Sequence, residues 1–219
     1  MTLNNHVIPF QLGNNTVRGN IVRLQTVVSE IVNRHEYPAN IESLFADTLT
    51  ITASLGSRMK HDGVFTIQAK GNGEVNTLFS DITSDGFLRG YVGLTSSFTN
   101  KEINLNSLMG SGHVSFTLDQ GKYTKRYQGI VPLEEPSISK TTELYFNNSE
   151  QLETKFYTFN NFDIKKNNRK HLFSSGLIML QKMPVKNSFD EESNEEVWRN
   201  SLNFLSTLGK EEFLSINLT

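Results

Sequence analysis

The sequence predicts an α+β protein in which antiparallel sheets pack against helices, followed by a helical segment at the C-terminal end. Apolar residues recur at helical spacing before Gly63 and alternate with polar residues after it. The turn signals Asp62-Gly63, Asn72-Gly73 and Asp85-Gly86 separate the alternating runs, and such short turns join antiparallel strands. The 15 phenylalanines and 6 tyrosines among 219 residues can build a sizeable core, which argues against a disordered chain.

The first sixty residues are predicted to form one strand and two helices. Residues 17–24 have the pattern of a strand, and apolar residues on neighbouring turns then predict a short helix over about 26–34. Pro38 suits the first turn of a second helix over about 39–59. The face that this amphipathic helix should bury carries Ile41, Leu44, Phe45, Leu49, Thr52, Leu55 and Met59.

Apolar residues alternate with polar residues through most of the next seventy positions. In one run Phe65, Ile67 and Ala69 alternate with polar residues, and in a later run Val114 and Phe116 do the same. Because the turns between these runs are short, we expect antiparallel strands throughout residues 64–131.

Helical and strand patterns follow each other in the last third of the chain. We predict a helix near 138–151, a strand over 154–159, a polar loop over 160–168 and an apolar strand over 175–183 that Pro184 closes. An acidic, flexible segment is expected over 187–196, and a helix should follow it. One side of that helix carries Val197, Trp198, Leu202, Leu205 and Leu208.

Composition excludes several classes of site and partner. The chain has no cysteine, which excludes a disulfide framework, a cysteine nucleophile and every cysteine-ligated metal site. The formal net charge of −2 offers no basic excess for nucleic-acid phosphates. No apolar stretch has the length that a membrane span needs, and the first residues lack the pattern of a signal peptide. We therefore expect a cytoplasmic protein that binds neither nucleic acid nor membranes.

Side chains that could carry catalysis are scattered. The five histidines, at positions 6, 35, 61, 113 and 171, include no pair at the spacing of helical metal ligands. The stretch that begins at Asp81 resembles a calcium loop but has Val92 where glutamate is needed. We therefore predict no catalytic residue, no cofactor site and no metal site, and we do not expect an enzyme.

Eight short motifs follow one another in a fixed order over about residues 9–184. They are Val17-Arg18-Gly19; Tyr37-Pro38; Lys60-His61-Asp62-Gly63; Thr66-Ile67-Gln68 with Gly71 and Gly73; Asp85 to Tyr91; Tyr127 to Leu133; Tyr145-Phe146 with Ser149 to Leu152 and Thr154; and Gly176 to Gln181 up to Pro184. Each motif is weak alone, whereas eight in register are specific. On these residues the chain resembles the heat-shock protein 33 family, the redox-regulated 33-kDa chaperonins of bacteria.

The resemblance implies an α+β core of antiparallel sheets with packed helices, a helical linker, and a small zinc domain that carries four cysteines. Residues 1–184 then correspond to the chaperone core and residues 185–219 to part of the linker. The zinc-binding redox-switch domain is expected to be absent from this sequence. A truncated piece and a naturally shortened gene product are both left open. Ser175 stands where the family usually has a second glycine beside Gly176.

The resemblance also implies a function. Members of the family are ATP-independent chaperones, or holdases, that bind unfolding proteins and prevent their aggregation under heat or oxidative stress. Their switch works by zinc release and disulfide formation, so this chain is expected to act without it. Its partners are then unfolded client proteins, and a homodimer is left open. The alternative is a folded but inactive or regulatory fragment, and a small-molecule enzyme is a third hypothesis that no sequence feature supports.

Apolar residues near the C-terminal end are the candidates for contact with a client protein. They are Trp198, Leu202, Leu205, Leu208 and Phe213, with Leu214 beside them. The alternative hypothesis is that this helical segment packs on the sheets and completes the fold. Both hold if the segment covers an apolar sheet face reversibly.

Overall fold

The structure, a computed structural model, describes residues 5–13, 15–96, 98, 99, 102, 104–121, 125–163, 172–184 and 191–215. The strands are β1 (His6–Leu12), β2 (Val17–Leu24), β3 (Val64–Gly71), β4 (Val75–Thr83), β5 (Leu88–Leu94), β6 (Gly112–Asp119), β7 (Tyr127–Pro132), β8 (Thr154–Asp163) and β9 (Leu172–Lys182). The helices are α1 (Thr26–Val32), α2 (Ala39–Gly56), α3 (Leu105–Met109), α4 (Ile138–Tyr145), α5 (Glu191–Thr207) and α6 (Lys210–Ser215).

The strands form two sheets. A four-stranded sheet has the order β1-β2-β9-β8, and a five-stranded sheet has the order β5-β4-β3-β6-β7. Neighbouring strands pair antiparallel in both sheets. The predicted α+β class with antiparallel sheets and packed helices is therefore confirmed. The four-stranded sheet joins the two ends of the chain, because β2 pairs with β9.

Helix α2 lies between the sheets and is the centre of the main core. Ile41, Phe45 and Leu49 are fully buried in it, as the apolar spacing predicts. The prediction of a single buried face was wrong, because α2 packs against strands of both sheets and is buried on nearly every side. The hydroxyls of Thr48 and Thr52 stay satisfied by donating to carbonyl oxygens four residues earlier, each at 2.8 Å.

Several element boundaries differ from the predicted ones. Helix α1 ends at Val32 and α2 at Gly56, with turns after each. Helix α4 ends at Tyr145, and residues 146–150 continue it as a π-helical turn that ends where Gln151 adopts a left-handed conformation with φ 55°. The predicted loop over 160–168 was wrong in its first part, since β8 continues to Asp163; residues 164–168 lie outside the described residues.

Some elements were not predicted at all, and the start of α5 was also misplaced. Strand β1 and the short helix α3 have no clear periodicity and were not predicted. Helix α5 begins at Glu191, so residues 191–196 form its first turns and the prediction of a flexible segment was wrong for them; residues 187–190 lie outside the described residues. Negative charge is favourable there because the N-terminal end of a helix carries a partial positive charge. In the described ranges no helix combines the length and the apolar character that crossing a membrane requires.

Candidate functional site

The four-stranded sheet is apolar on both faces. Along β9, Leu177 and Met179 lie in the main core with α2, whereas Ile178 and Leu180 lie on the opposite face. Side chains alternate between the faces of a strand, so an uninterrupted apolar run supplies both. The apolar residues of this second, outer face are Phe10, Val17, Ile21, Tyr157, Phe159, Ile178 and Leu180.

Helices α5 and α6 lie across this outer face, and we call residues 191–215 the helical cover. Three of its apolar side chains are almost fully enclosed: Trp198 is 2% exposed, Leu205 6% and Phe213 1%. Together with the outer face they form a second hydrophobic core, separate from the main one. Large aromatic side chains bury about 150–250 Å² each, so Trp198 and Phe213 dominate the apolar contact that the cover makes.

Phe213 occupies a defined seat on the sheet. Its ring stacks on Phe159 with ring centres 4.4 Å apart and an interplanar angle of 19°. The guanidinium of Arg23 lies 5.4 Å from the centre of the Phe213 ring and donates a hydrogen bond to the Phe213 carbonyl oxygen. Burial of Arg23 lowers the pKa of this guanidinium from its usual value. The seat therefore combines stacking, cation–π attraction and a charged hydrogen bond.

Polar contacts fasten the N-terminal half of the cover at its rim. The Thr16 hydroxyl donates to the Asn194 side chain, and Lys182 forms an ion pair with Glu195. Lys182 also lies 3.9 Å from Glu153, so one ammonium group serves two carboxylates. Surface ion pairs contribute little, about 0–1 kcal/mol each, and the apolar contact therefore decides how firmly the cover is held.

The structure brings the candidate client-contact residues together on the sheet. Trp198, Leu205 and Phe213 point into the second core, and Leu202 and Leu208 are half-buried at its margin, as is Leu214. In this arrangement the three buried side chains are in contact with the sheet and have no surface for another protein. Their use as client contacts requires the cover to leave the sheet.

The sequence analysis missed the sheet side of this surface. It assigned Val17, Phe159, Ile178 and Leu180 to strands but did not predict that they share one face of a sheet. One signal was available, since β9 is apolar at consecutive positions from Leu177 to Leu180, a pattern typical of a strand buried on both sides. Gly176 also belongs to this surface, because the Phe213 ring packs where a side chain at residue 176 would lie, and this contact was not foreseeable from the sequence.

Metal-ligating groups do not converge in the described part of the chain. No three histidine, aspartate or glutamate side chains come together there in a way that could hold a metal ion. The four-cysteine zinc site that the resemblance implies does not fit this chain, because the sequence has no cysteine to supply its thiolates.

Comparison with known proteins identifies the family. A family model described as "Hsp33 protein" matches residues 5–219. The chain belongs to the Hsp33 family. The resemblance drawn from the eight motifs is thereby confirmed.

Individual Hsp33 relatives agree with this assignment. The 33 kDa chaperonin of Caulobacter vibrioides is 34% identical over 161 residues, which cover 70% of this chain and 53% of the relative. The 33 kDa chaperonin of Pseudomonas aeruginosa is 31% identical over 208 residues, or 95% of this chain and 66% of the relative. The matches thus span between about half and two thirds of these chaperonins.

A solved Hsp33 structure shares the fold. The crystal structure of the 33 kDa chaperonin from Thermotoga maritima superposes with a TM-score of 0.75 at 22% identity. The superposition covers 98% of this chain and 72% of that chain. The two-sheet architecture with packed helices is therefore that of the Hsp33 family.

Proposed function

We propose that this chain is an ATP-independent chaperone that binds unfolding client proteins on the outer face of its four-stranded sheet. The observation that carries the proposal is the second core, in which the helical cover closes a largely apolar sheet face. Exposed segments of unfolding proteins are apolar, and a large apolar face is the surface that such segments bind. The chaperone names of the Hsp33 relatives support the same role.

Binding at this face requires the cover to open. With Trp198 and Phe213 seated, the outer face is occupied by the chain's own residues. A client therefore competes with the cover, and its apparent affinity is reduced by the fraction of molecules that are closed. Heating should raise activity because it favours opening of the least firmly held elements.

An aggregation assay tests the proposed function. We expect the chain to suppress light scattering by a thermally unfolding client, such as citrate synthase, to the same extent with and without ATP. Peroxide should change the activity little, because the chain has no thiol to oxidise. Failure to slow aggregation at stoichiometric excess, in any redox state and at any temperature below unfolding, would contradict a holdase.

Deleting the cover distinguishes two roles that it could have, as a lid over the outer face or as an element that itself binds clients. If the cover is a lid, deletion of residues 190–219 should strengthen suppression, because the outer face is then open in every molecule. If the cover itself binds clients, suppression should fall while far-UV circular dichroism shows an intact core. Ile21→Ser in the truncated chain should reduce suppression, since Ile21 lies on the outer face. The matched control is Ile130→Ser, at an exposed residue of β7 on the other sheet.

The second candidate is a folded but inactive or regulatory Hsp33 fragment. The observation that favours it is the nearly complete burial of Trp198, Leu205 and Phe213, which describes a closed state. This alternative predicts that neither the full chain nor the truncated chain suppresses aggregation. For the chaperone we propose unfolded proteins as the partners and the cytoplasm as the place of action, with no role for nucleic acid or membranes.

A further inference from the structure

Two arginines meet on the inner side of the four-stranded sheet, away from the helical cover. Arg18 lies on β2 and Arg58 follows the end of α2, and both are half-buried. Arg18 donates to the Gln181 Oε1 atom through Nε at 2.8 Å and Nη2 at 2.5 Å. Arg58 donates to the same oxygen through Nη1 at 3.3 Å. A single amide oxygen therefore holds two guanidinium groups side by side.

The orientation of that amide is fixed by its other end. Gln181 is fully buried, and its Nε2 atom donates to the Thr154 hydroxyl at 2.9 Å. The Thr154 hydroxyl in turn donates to the Leu152 carbonyl oxygen at 3.0 Å, so it can only accept from Gln181. The amide oxygen must then face the arginines. This preorganised arrangement does not depend on mobile surface side chains.

The charge of the pair is not neutralised by the described part of the chain. Neither Arg18 nor Arg58 forms an ion pair with a carboxylate of the described residues. Burial, and next the charge of Arg18, lower the pKa of Arg58 to about 10. Burial also lowers the pKa of Arg18. The C-terminal end of α2 offsets some of this positive charge but supplies no counter-ion.

Hydrogen-bond donors are left over in the same place. Each guanidinium has five N–H groups, and the pair directs only three of them to the Gln181 oxygen. One further contact joins Arg58 to the Met179 sulfur at 4.0 Å. The arginines line a surface cleft together with Pro9, Gln11, Gly19 and Ser57. The cleft is thus reachable from solvent and contains cationic N–H donors that have no partner among the described residues.

We propose that Arg18 and Arg58 form an oxyanion-binding site for ligands of the phosphate class. Planar guanidinium groups pair with phosphate oxygens through two parallel hydrogen bonds, and two adjacent guanidiniums suit a doubly charged anion. Such an anion also removes the repulsion between the arginines, which no carboxylate in the described residues does. The overall charge of the chain is −2, so saturable anion binding would reflect this local pair and not a general attraction.

Calorimetric titration of the full chain tests the site. Inorganic phosphate and pyrophosphate are added at constant ionic strength maintained with chloride, and acetate serves as the carboxylate arm. We expect saturable binding of phosphate, tighter binding of pyrophosphate, and at least about tenfold weaker binding after Arg58→Gln. Arg58→Lys keeps the charge but loses the planar fork, and it should bind with intermediate affinity. Arg34→Gln, at an exposed arginine, should leave binding unchanged.

Thermal unfolding gives a second readout of the same site. Phosphate stabilises proteins in general by exclusion from their surface, and this effect is equal in all variants. Specific binding adds a saturable rise in the unfolding midpoint that Arg34→Gln retains and Arg58→Gln loses. Equal midpoint shifts in the wild type and in Arg58→Gln, or no saturable heat with either phosphate or pyrophosphate, would overturn the proposal. Acetate binding as tight as phosphate binding would overturn the assignment to the phosphate class.

Discussion

The ring of Phe213 lies directly against Gly176, in the space that a side chain at residue 176 would occupy. A Cβ atom there would overlap the ring, at 3.0 Å from Cδ1, 3.2 Å from Cζ and closer still to Cε1. Phe159, the partner of Gly176 in the β8–β9 register, stacks on the same ring. The absence of a side chain at residue 176 therefore determines how closely α6 approaches the sheet.

Gly176→Ala should weaken the attachment of the cover. Because the added methyl group overlaps the Phe213 ring, the ring or the strand must move, and overpacking of this kind costs about 1–3 kcal/mol. Urea denaturation and binding of a hydrophobic dye measure the loss of stability and the exposed apolar surface. Gly209→Ala is the matched control in the same cover, since a Cβ at that residue would meet no described residue other than its chain neighbours within 4 Å. If Gly176→Ala behaves like this control, the close packing of the Phe213 ring on Gly176 is refuted.

Trp198 should report opening of the cover before the sheets unfold. It is the only tryptophan of the chain and lies on the helical cover, which packs in the second core and contributes no strand to either sheet. In a urea titration we expect its fluorescence to shift to longer wavelength at lower urea concentration than the loss of far-UV circular dichroism. Coincident transitions would mean that the cover and the sheets unfold as one cooperative unit.

Asp47 should make stability depend on pH in the opposite sense to an ordinary carboxylate. Asn160 donates to Asp47 at 2.8 Å, and Ser175 donates to Asn160 at 2.6 Å, but burial is the larger effect and raises the pKa of Asp47 to about 6. The folded chain then holds this proton more tightly than the unfolded chain. The stabilising contribution is complete below about pH 4 and is lost as the pH rises through about 6.

The pH effect is measured as a difference between two proteins. Asp47→Asn should gain about 1–2 kcal/mol in free energy of unfolding relative to the wild type between pH 4.5 and pH 7.5, with allowance for partial solvent access. Asp85→Asn, in the turn before β5, controls for the loss of one carboxylate. A constant difference between wild type and Asp47→Asn across this range would show that Asp47 titrates normally.

Glu150 should stabilise the junction between α4 and β7. Its Oε1 atom accepts hydrogen bonds from the hydroxyls of Tyr145 at 2.5 Å and Tyr127 at 2.7 Å. Burial and this carboxylate raise the pKa of Tyr145, so the phenol stays a donor at neutral pH. Hydrogen bonds to charged groups are worth about 1.5–3 kcal/mol, and the half-exposed Tyr127 contributes less.

Glu150→Gln should therefore lower the free energy of unfolding by about 1–3 kcal/mol at pH 7, measured by urea denaturation. Glu30→Gln, at an exposed position in α1, should leave it within about 0.5 kcal/mol of the wild type. If both variants have the same stability, the two phenols gain nothing from the charge of residue 150.

Sequence periodicity was sufficient to predict the elements that are buried on one side or completely. The alternation of Ile67 and Ala69 and the spacing of Ile41, Phe45 and Leu49 correspond to buried positions. Periodicity failed where long-range contacts decide the conformation. Strand β1 is held by its pairing with β2, and residues 146–150 form a π-helical turn that brings Glu150 to Tyr145 and to Tyr127 on β7.

The candidate site could be predicted from the sequence only in part. The apolar residues of α5 were recognisable by helical spacing, because spacing along one helix is a local property, whereas the separate helix α6 around Phe213 was not predicted. The sheet face that they cover was not, since it combines alternate residues of β1, β2, β8 and β9 from the two ends of the chain. The arginine pair was equally hidden, because Arg18 and Arg58 are brought together by Gln181.

Strand β9 lies between the two cores. Its odd-numbered and even-numbered residues face different cores and are therefore under different packing constraints. Leu177 and Met179 touch the core around α2, whereas Ile178 and Leu180 touch only the core beneath the cover. The two sets of residues therefore pack against different partners. Substitutions at the even-numbered pair should act first on the core beneath the cover, and those at the odd-numbered pair on the core around α2.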